Sequence, residues 1–314
     1  MFVQIHTLRH YPVSLPNRGA DGLAKRAPFG GVERQRISSQ CIKAAVRDAD
    51  MKALADDLGL DMSVRSALIA ERRLKPMLRE AGFSQDDAQA WADALMDLWR
   101  TGDGGEHGNQ PIVVGEPEIR GLVDVAKACA GNGVGTKDLR SLFEKENTLK
   151  KQDKSVQDAV HALRAMRSHA GLDGALFGRF ATGVAVSNVD SAVHVAHALT
   201  VHGIHSVSDF FSVRDPLKTS DEDRGGSHIN TAELTSGLFY GYTVIDLGQI
   251  KHNFAELSDE QRSQIVAWLT RSISLTEPAA KLGSTAPYAG IIDTMVEVGD
   301  QQPRSLMGAF EAPV

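Results

Sequence analysis

Residues 28–47, PFGGVERQRISSQCIKAAVR, leave the chain little choice: a strand must run straight into a helix. Gly30-Gly31 supplies a turn at which φ can be positive and backbone can approach a neighbour closely. Val32 to Ile37 is a short strand that puts Arg34 and Arg36 on one side, because strand side chains alternate. Ser38-Ser39 is a helix start, with open N–H groups, small hydroxyls and the positive end of the dipole. On the helix that follows, Gln40, Lys43 and Arg47 share one face at i, i+3 and i+7, while Ile42, Ala45, Val46 and Ala49 form the apolar face. These parts all favour anionic oxygen, and the polyanion that needs so long a cradle is a nucleic-acid backbone.

The formal net charge of −6 argues against such a partner until the charge is mapped. Residues 1–48 carry eight basic and three acidic side chains, whereas residues 255–314 carry four basic and eight acidic. One end of the chain is suited to a polyanion and the other to a basic neighbour. Between Asn17 and Arg47, seven basic residues (Arg18, Lys25, Arg26, Arg34, Arg36, Lys43, Arg47) face only Asp21 and Glu33. Asn17-Arg18-Gly19 is a turn that presents an arginine. Two cysteines, Cys41 and Cys129, supply neither a metal cluster nor a disulfide framework, and Cys41 is expected to pack as a small apolar residue. With no apolar leader and no run of membrane-spanning length, the expected location is cytoplasmic, with no membrane partner and no cofactor.

Along the chain, Phe2 to Leu8 reads as a strand that ends in a proline-broken loop at Tyr11 to Pro16. Helical pattern fills 50–100, then 116–130 and 136–169, around a polar glycine-rich loop at 101–110 and a break at 131–135. The last of these segments carries Lys137 and Arg140 among nearly balancing acids, the pattern of a solvated charged face. In GLDGALFGRFATGVAVS (171–187), glycines let backbone pass close to a neighbour around Arg179-Phe180. Phe180 is a core side chain or a wedge against bases. Val189 to Thr200 reads as an amphipathic helix bearing His194 and His197, with His202 and His205 beyond; no carboxylate or cysteine completes a metal site. The polar run DPLKTSDEDRGGS (215–227) follows a short apolar stretch at 209–213, then a strand at 237–247 and a helix at 258–273.

The run NRGADGLAKRAPFGGVERQRISSQCIKAAVR resembles the signature of the CasC family, the guide-RNA-binding backbone subunit of the type I-E CRISPR surveillance complex, Cascade. GRFATG (178–183), VDSAVHVAHALTVH (189–202) and SHINTAELTSGLFYGYTVIDL (227–247) fit the same family in the same order. The resemblance implies an α+β fold: an RRM-like (ferredoxin-like) palm in residues 1–48, 176–198 and 229–314, a helical fingers insertion at 49–175, and a β-hairpin thumb at 199–228. It implies a non-catalytic protein that polymerises head-to-tail along the spacer of a crRNA. The bases stay free to pair with target DNA, in an antiviral ribonucleoprotein. Its other partners would be the large, small, guide 5′-end and repeat-processing Cascade subunits, with a recruited helicase-nuclease.

RNA-binding positions carried over from the family are Arg18, Lys25, Ser38, Gln40, Lys43, Arg47, Arg179, Phe180 and Ser212, to which charge alone adds Arg34 and Arg36. Phe180 stands where the family has a methionine that packs against kinked bases, and Lys137 and Arg140 stand on the helix that touches DNA non-specifically. The rival expectation is a RAMP-type endoribonuclease that processes CRISPR repeat RNA, with His6, His10 and the 194–205 histidines as candidates.

Overall fold

The computed structural model describes residues 1–98, 111–166, 170–180, 188–213, 228–278, 282–288 and 290–314. The 101–110 loop, residues 181–187 and the polar run 215–227 lie outside the described residues. In chain order the first elements are β1 (Phe2–Ser14), β2 (Arg26–Phe29), β3 (Val32–Ile37), α1 (Ser39–Asp48), α2 (Met51–Leu58), β4 (Ser63–Ser66), α3 (Lys75–Glu80), α4 (Gln85–Asp97) and β5 (Ile112–Gly115). Then come α5 (Glu116–Gly131), α6 (Leu139–Glu144), α7 (Glu146–Leu149), α8 (Lys154–Ala165) and α9 (Leu172–Phe177). The rest are β6 (Val193–Val195), β7 (Ala198–Thr200), β8 (His205–Val213), β9 (His228–Asp246), α10 (Leu247–Asn253), α11 (Asp259–Leu275), α12 (Leu282–Thr285) and β10 (Ile291–Gly299).

The fold is α+β and divides into two compact units: residues 1–49, 194–246 and 264–314 form one, and residues 50–193 and 247–263 the other. Residues 176–193 and 247–263 thus cluster with the helices, although the sequence reading placed them in the palm.

The first unit is built on a sheet in the order β10-β1-β9-β7-β3-β2, with β6 and β8 also paired to β9. The four strands β10-β1-β9-β7 are each antiparallel to the next, and they follow along the chain as β1, α1, β7, β9, α11, β10. That is a β-α-β-β-α-β connection. The β2–β3 hairpin is added outside β7, through Arg36 opposite Leu199. β8 and β9 form a long antiparallel hairpin, from His205 opposite Ser236 to Val213 opposite His228.

Two local expectations are corrected. Val189 to Thr200 is not a helix; it holds the short strands β6 and β7, with Val193, Ala198 and Thr200 buried, His194 exposed on β6 and His197 exposed between the two strands. β-branched residues half-buried on a pleat prefer this state. β1 also runs through the expected proline loop to Ser14, at the cost of a register shift between Tyr11 and Ser14.

α1 packs as its pattern requires. Ile42 and Cys41 lie against Tyr11, Ile37, Ala198 and Phe239, and the Tyr11 and Phe239 rings meet edge-on at 5.4 Å. Burial pushes the Tyr11 phenol up to about 12 and raises the Cys41 thiol, so both are neutral packing groups.

The glycine turn serves this unit rather than a ligand. Phe29 pairs with Val32, so Gly30-Gly31 is a two-residue hairpin loop with both glycines at positive φ, as tight hairpins need. A Cβ on Gly30 would stand 1.6 Å from the Glu311 carbonyl oxygen. What approaches the turn is the chain's own C-terminal segment. That segment is tied down along its length. The Arg304 N–H donates to Gln4 Oε1 (2.9 Å), the Leu306 N–H to the Tyr240 hydroxyl (2.8 Å), and the Val314 N–H to the Val201 carbonyl (3.1 Å). Arg34 completes the clasp. Its guanidinium is fully buried and donates to the carbonyls of Phe29 (3.1 Å), Thr200 (3.3 Å), Phe310 (2.9 Å) and Glu311 (3.2 Å).

The second unit is helical around one large core that joins Trp91, Leu95, Ile119, Leu122, Leu142 and Val160. The small β4–β5 sheet in it left no mark in the sequence pattern, because each strand is four residues long and pairs across a long separation. A buried ion pair holds the far end of this unit: Arg179 donates through both terminal nitrogens to Glu118 (2.5 and 2.8 Å). Glu118 also accepts the Gly115 N–H at 2.8 Å.

Substitutions at three of these interior contacts test them. Arg34→Met should lower unfolding free energy in urea by about 3 kcal/mol or more, since four buried carbonyls lose their donor. Gly30→Ala should leave the far-UV signal intact but speed tryptic cleavage after Arg304, by lifting the C-terminal segment. Glu118→Ala alone should cost about 3–5 kcal/mol, and Glu118→Leu with Arg179→Met should regain much of it, because an unpaired buried charge is worse than none.

Candidate nucleic-acid interface

The first unit carries the cationic surface. Ser38 is extended (φ −70°, ψ 148°) and its Oγ accepts the Cys41 N–H at 3.4 Å, so it is a true N-cap. Its own N–H donates to Asn17 Oδ1 at 3.0 Å, and the Ser39 N–H donates to His197 Nδ1 at 2.9 Å. The start of α1 is therefore not the open set of N–H donors that the sequence suggested. Side chains from two other segments already occupy it, and Ser38 is buried at 4% exposure. Beyond the cap, Gln40 is exposed and Lys43 and Arg47 are half-buried on α1. Arg18 is exposed on a loop closed by its bridge to Ala24.

Lys25 is placed by two backbone bonds: its N–H donates to the Asn17 carbonyl and its carbonyl accepts the Arg36 N–H. Lys25 and Arg36 are half-buried, and both face His197. Partial burial first, then the charges of Arg36 and Lys25, hold the His197 pKa below the usual imidazole value. The nearby Arg26 differs, because it is neutralised by Glu33 at 3.4 Å and by the buried Glu233. Lys25 and Arg36 have no carboxylate partner among the described residues. Lys25, Arg36 and His197 thus form a small positive cluster beside the start of α1. The sequence pattern puts His197 on a helix and offers it only to the nuclease reading; its nearness to Arg36 becomes meaningful only once β3 and β7 pair.

Two predicted arginines are elsewhere. Arg34 lies inside the sheet unit, spent on four carbonyls, and Arg179 is inside the helical unit at 5% exposure, spent on Glu118. Strand alternation could not separate Arg34 from Arg36, because the C-terminal segment that buries Arg34 is remote in sequence. Phe180, next to Arg179, is 83% exposed, which excludes the core alternative for it. Its backbone is fixed by the Arg179–Val189 bridge and by the ion pair beneath. Ser212 is exposed on β8, as are Val207, Phe210 and Phe211. In the helical unit Lys137 is exposed, while Arg140 is exposed but bonds the Asp97 carbonyl (3.0 Å) and Glu144 (3.4 Å).

Among the described residues the candidate histidines occupy separate surroundings, apart from the neighbouring His202 and His205. His6 is buried between the Tyr240 hydroxyl (2.8 Å) and Glu297 (3.2 Å), and His10 is exposed on β1. His202 accepts the Leu238 N–H and meets the His205 ring at a tilt, 4.9 Å between centroids, while His197 is held by Ser39.

Comparison with curated proteins finds no match. Among solved structures, a chain of a "CRISPR RNA-guided surveillance complex, pre-nicking" superposes with a TM-score of 0.76 at 26% identity, over 100% of this chain and 83% of that one. A chain of a "CRISPR RNA-guided surveillance complex" superposes with a TM-score of 0.56 at 21% identity, over 100% of this chain and 75% of that one, and shares the fold. The model of the CT1975-like protein family matches residues 3–314, and the chain belongs to that family.

Proposed function

We propose that this protein is a non-catalytic RNA-binding backbone subunit of a type I-E CRISPR surveillance complex, coating the crRNA spacer in head-to-tail copies. The observation that carries the reading is the match over the full chain to a subunit of an RNA-guided surveillance complex. The positive cluster of Lys25 and Arg36 near the start of α1, the helix that also carries Lys43 and Arg47, gives it a physical basis. In this reading the sheet unit is the palm, the helical unit the fingers, and the β8–β9 hairpin the thumb. The strand order β10-β1-β9-β7 supports an RRM-like palm. Phosphates are gripped by Arg18, Lys25, Arg36, Lys43 and Arg47, with Gln40 as a neutral partner. Phe180 supplies a flat apolar wedge against bases, and Ser212 a small hydroxyl on the thumb. Lys137 offers the fingers a cation for DNA. Ser38 acts through the geometry of α1 rather than by touching RNA.

The endoribonuclease reading has less support. Its candidate His6 is 4% exposed and both its ring nitrogens are engaged within the sheet unit.

Replacing Lys43 and Arg47 with Ala should weaken unrelated RNA sequences by similar factors and flatten the dependence of log affinity on log salt by about 0.7 per lost phosphate contact. Fluorescence anisotropy across a salt series reads this; loss of one sequence with retention of others would refute a backbone grip. Phe180→Ala should preserve that salt slope yet cost about 1–3 kcal/mol per stacked base. It should also blur the periodic 2-aminopurine signal along a bound guide, and an unchanged pattern would remove Phe180 from the base-contacting set.

A further inference from the structure

His197 adds a directed donor to this cationic cluster. Its Nδ1 accepts the Ser39 N–H at 2.9 Å, so that nitrogen carries no proton in the neutral ring. The proton must then sit on Nε2. The ring is exposed, and the charged groups that face it are Arg36 on β3 and Lys25 on the loop before β2. Partial burial, and then these two cations, disfavour a second proton on the ring, so His197 stays a neutral donor at neutral pH and keeps its bond to Ser39. The peptide N–H at the start of α1 therefore cannot reach a ligand itself, but it fixes the tautomer that can.

We infer that His197 is a phosphate-binding residue that presents Nε2–H to a non-bridging oxygen of a nucleic-acid phosphodiester held between Lys25 and Arg36. The inference rests on the RNA-binding reading and adds a contact that neither charge counting nor helix geometry provides. A neutral donor between two cations has a specific use. The cations supply attraction without direction, while an N–H fixed by a backbone bond sets where the phosphate oxygen sits. A third mobile charge would bind more tightly but register the strand less well.

Two variants separate this role from a structural one. His197→Asn keeps an acceptor where Nδ1 stands, so Ser39 stays bonded, but it removes the Nε2 donor. His197→Gln places an N–H near the Nε2 position. The expected result is that His197→Asn melts within a few degrees of the parent but binds a single-stranded RNA about 10-fold more weakly, and that His197→Gln recovers most of that loss. In the parent, nitrogen-15 spectra should show the Nε2–H tautomer, with the Nε2 resonance moving on addition of RNA. Equal RNA affinity of parent and His197→Asn, or an Nε2 resonance indifferent to RNA, would overturn the inference while leaving RNA binding intact. A response to inorganic phosphate with none to RNA would reassign the cluster to a free anion and overturn it too. A parent protein that binds no RNA would defeat the underlying reading, and the inference with it.

Discussion

A buried guanidinium, without an acidic partner among the described residues, ties three segments of the sheet unit together. Arg34 is the largest fully buried side chain among the described residues, and its donors end on carbonyls from the β2–β3 turn, the end of β7 and the C-terminal segment. Four oriented carbonyl dipoles replace the water that the charge gave up. Because those carbonyls belong to three distant parts of the chain, the bond set fixes the β2–β3 hairpin against the sheet. That hairpin sets where Arg36 stands and where α1 begins. The glycine at position 30 is the complementary requirement: it leaves space for the Glu311 carbonyl that Arg34 holds.

The consequence is a division of labour among cations that lie close together in sequence. Arg34 is structural, Arg26 is neutralised by Glu33 and Glu233, and Arg36 and Lys25 stay available beside His197. The same division recurs in the helical unit, where Arg179 is spent on Glu118 and its neighbour Phe180 is left exposed on a rigid base. In both places a buried arginine positions the residue that faces outward. Such buried groups add little net stability, but removing one partner is costly, so they act as geometric constraints.

This explains what could be read from the residues in advance. The Ser38 cap, the apolar face of α1 and the Gly-Gly hairpin depend on neighbours within a few positions, and each stands as its pattern requires. The fate of Arg34 was hidden because its partners lie near residues 200 and 310. Arg179 was misjudged for the same reason, with its carboxylate 61 positions away. The 189–200 segment misled because alternate burial of valine, alanine and threonine between histidines also fits a helical stripe over so short a run. Gly30 was correctly read as a site of close approach, but the approaching group was the chain itself.

The proposed role has many copies of this chain coat one guide RNA and leave it uncut. Native mass spectrometry of the protein with single-stranded RNAs of increasing length tests that directly. Bound copies should rise in regular steps with RNA length, and every RNA mass should stay intact. A copy number of one at every length, or the appearance of cleaved RNA, would contradict it.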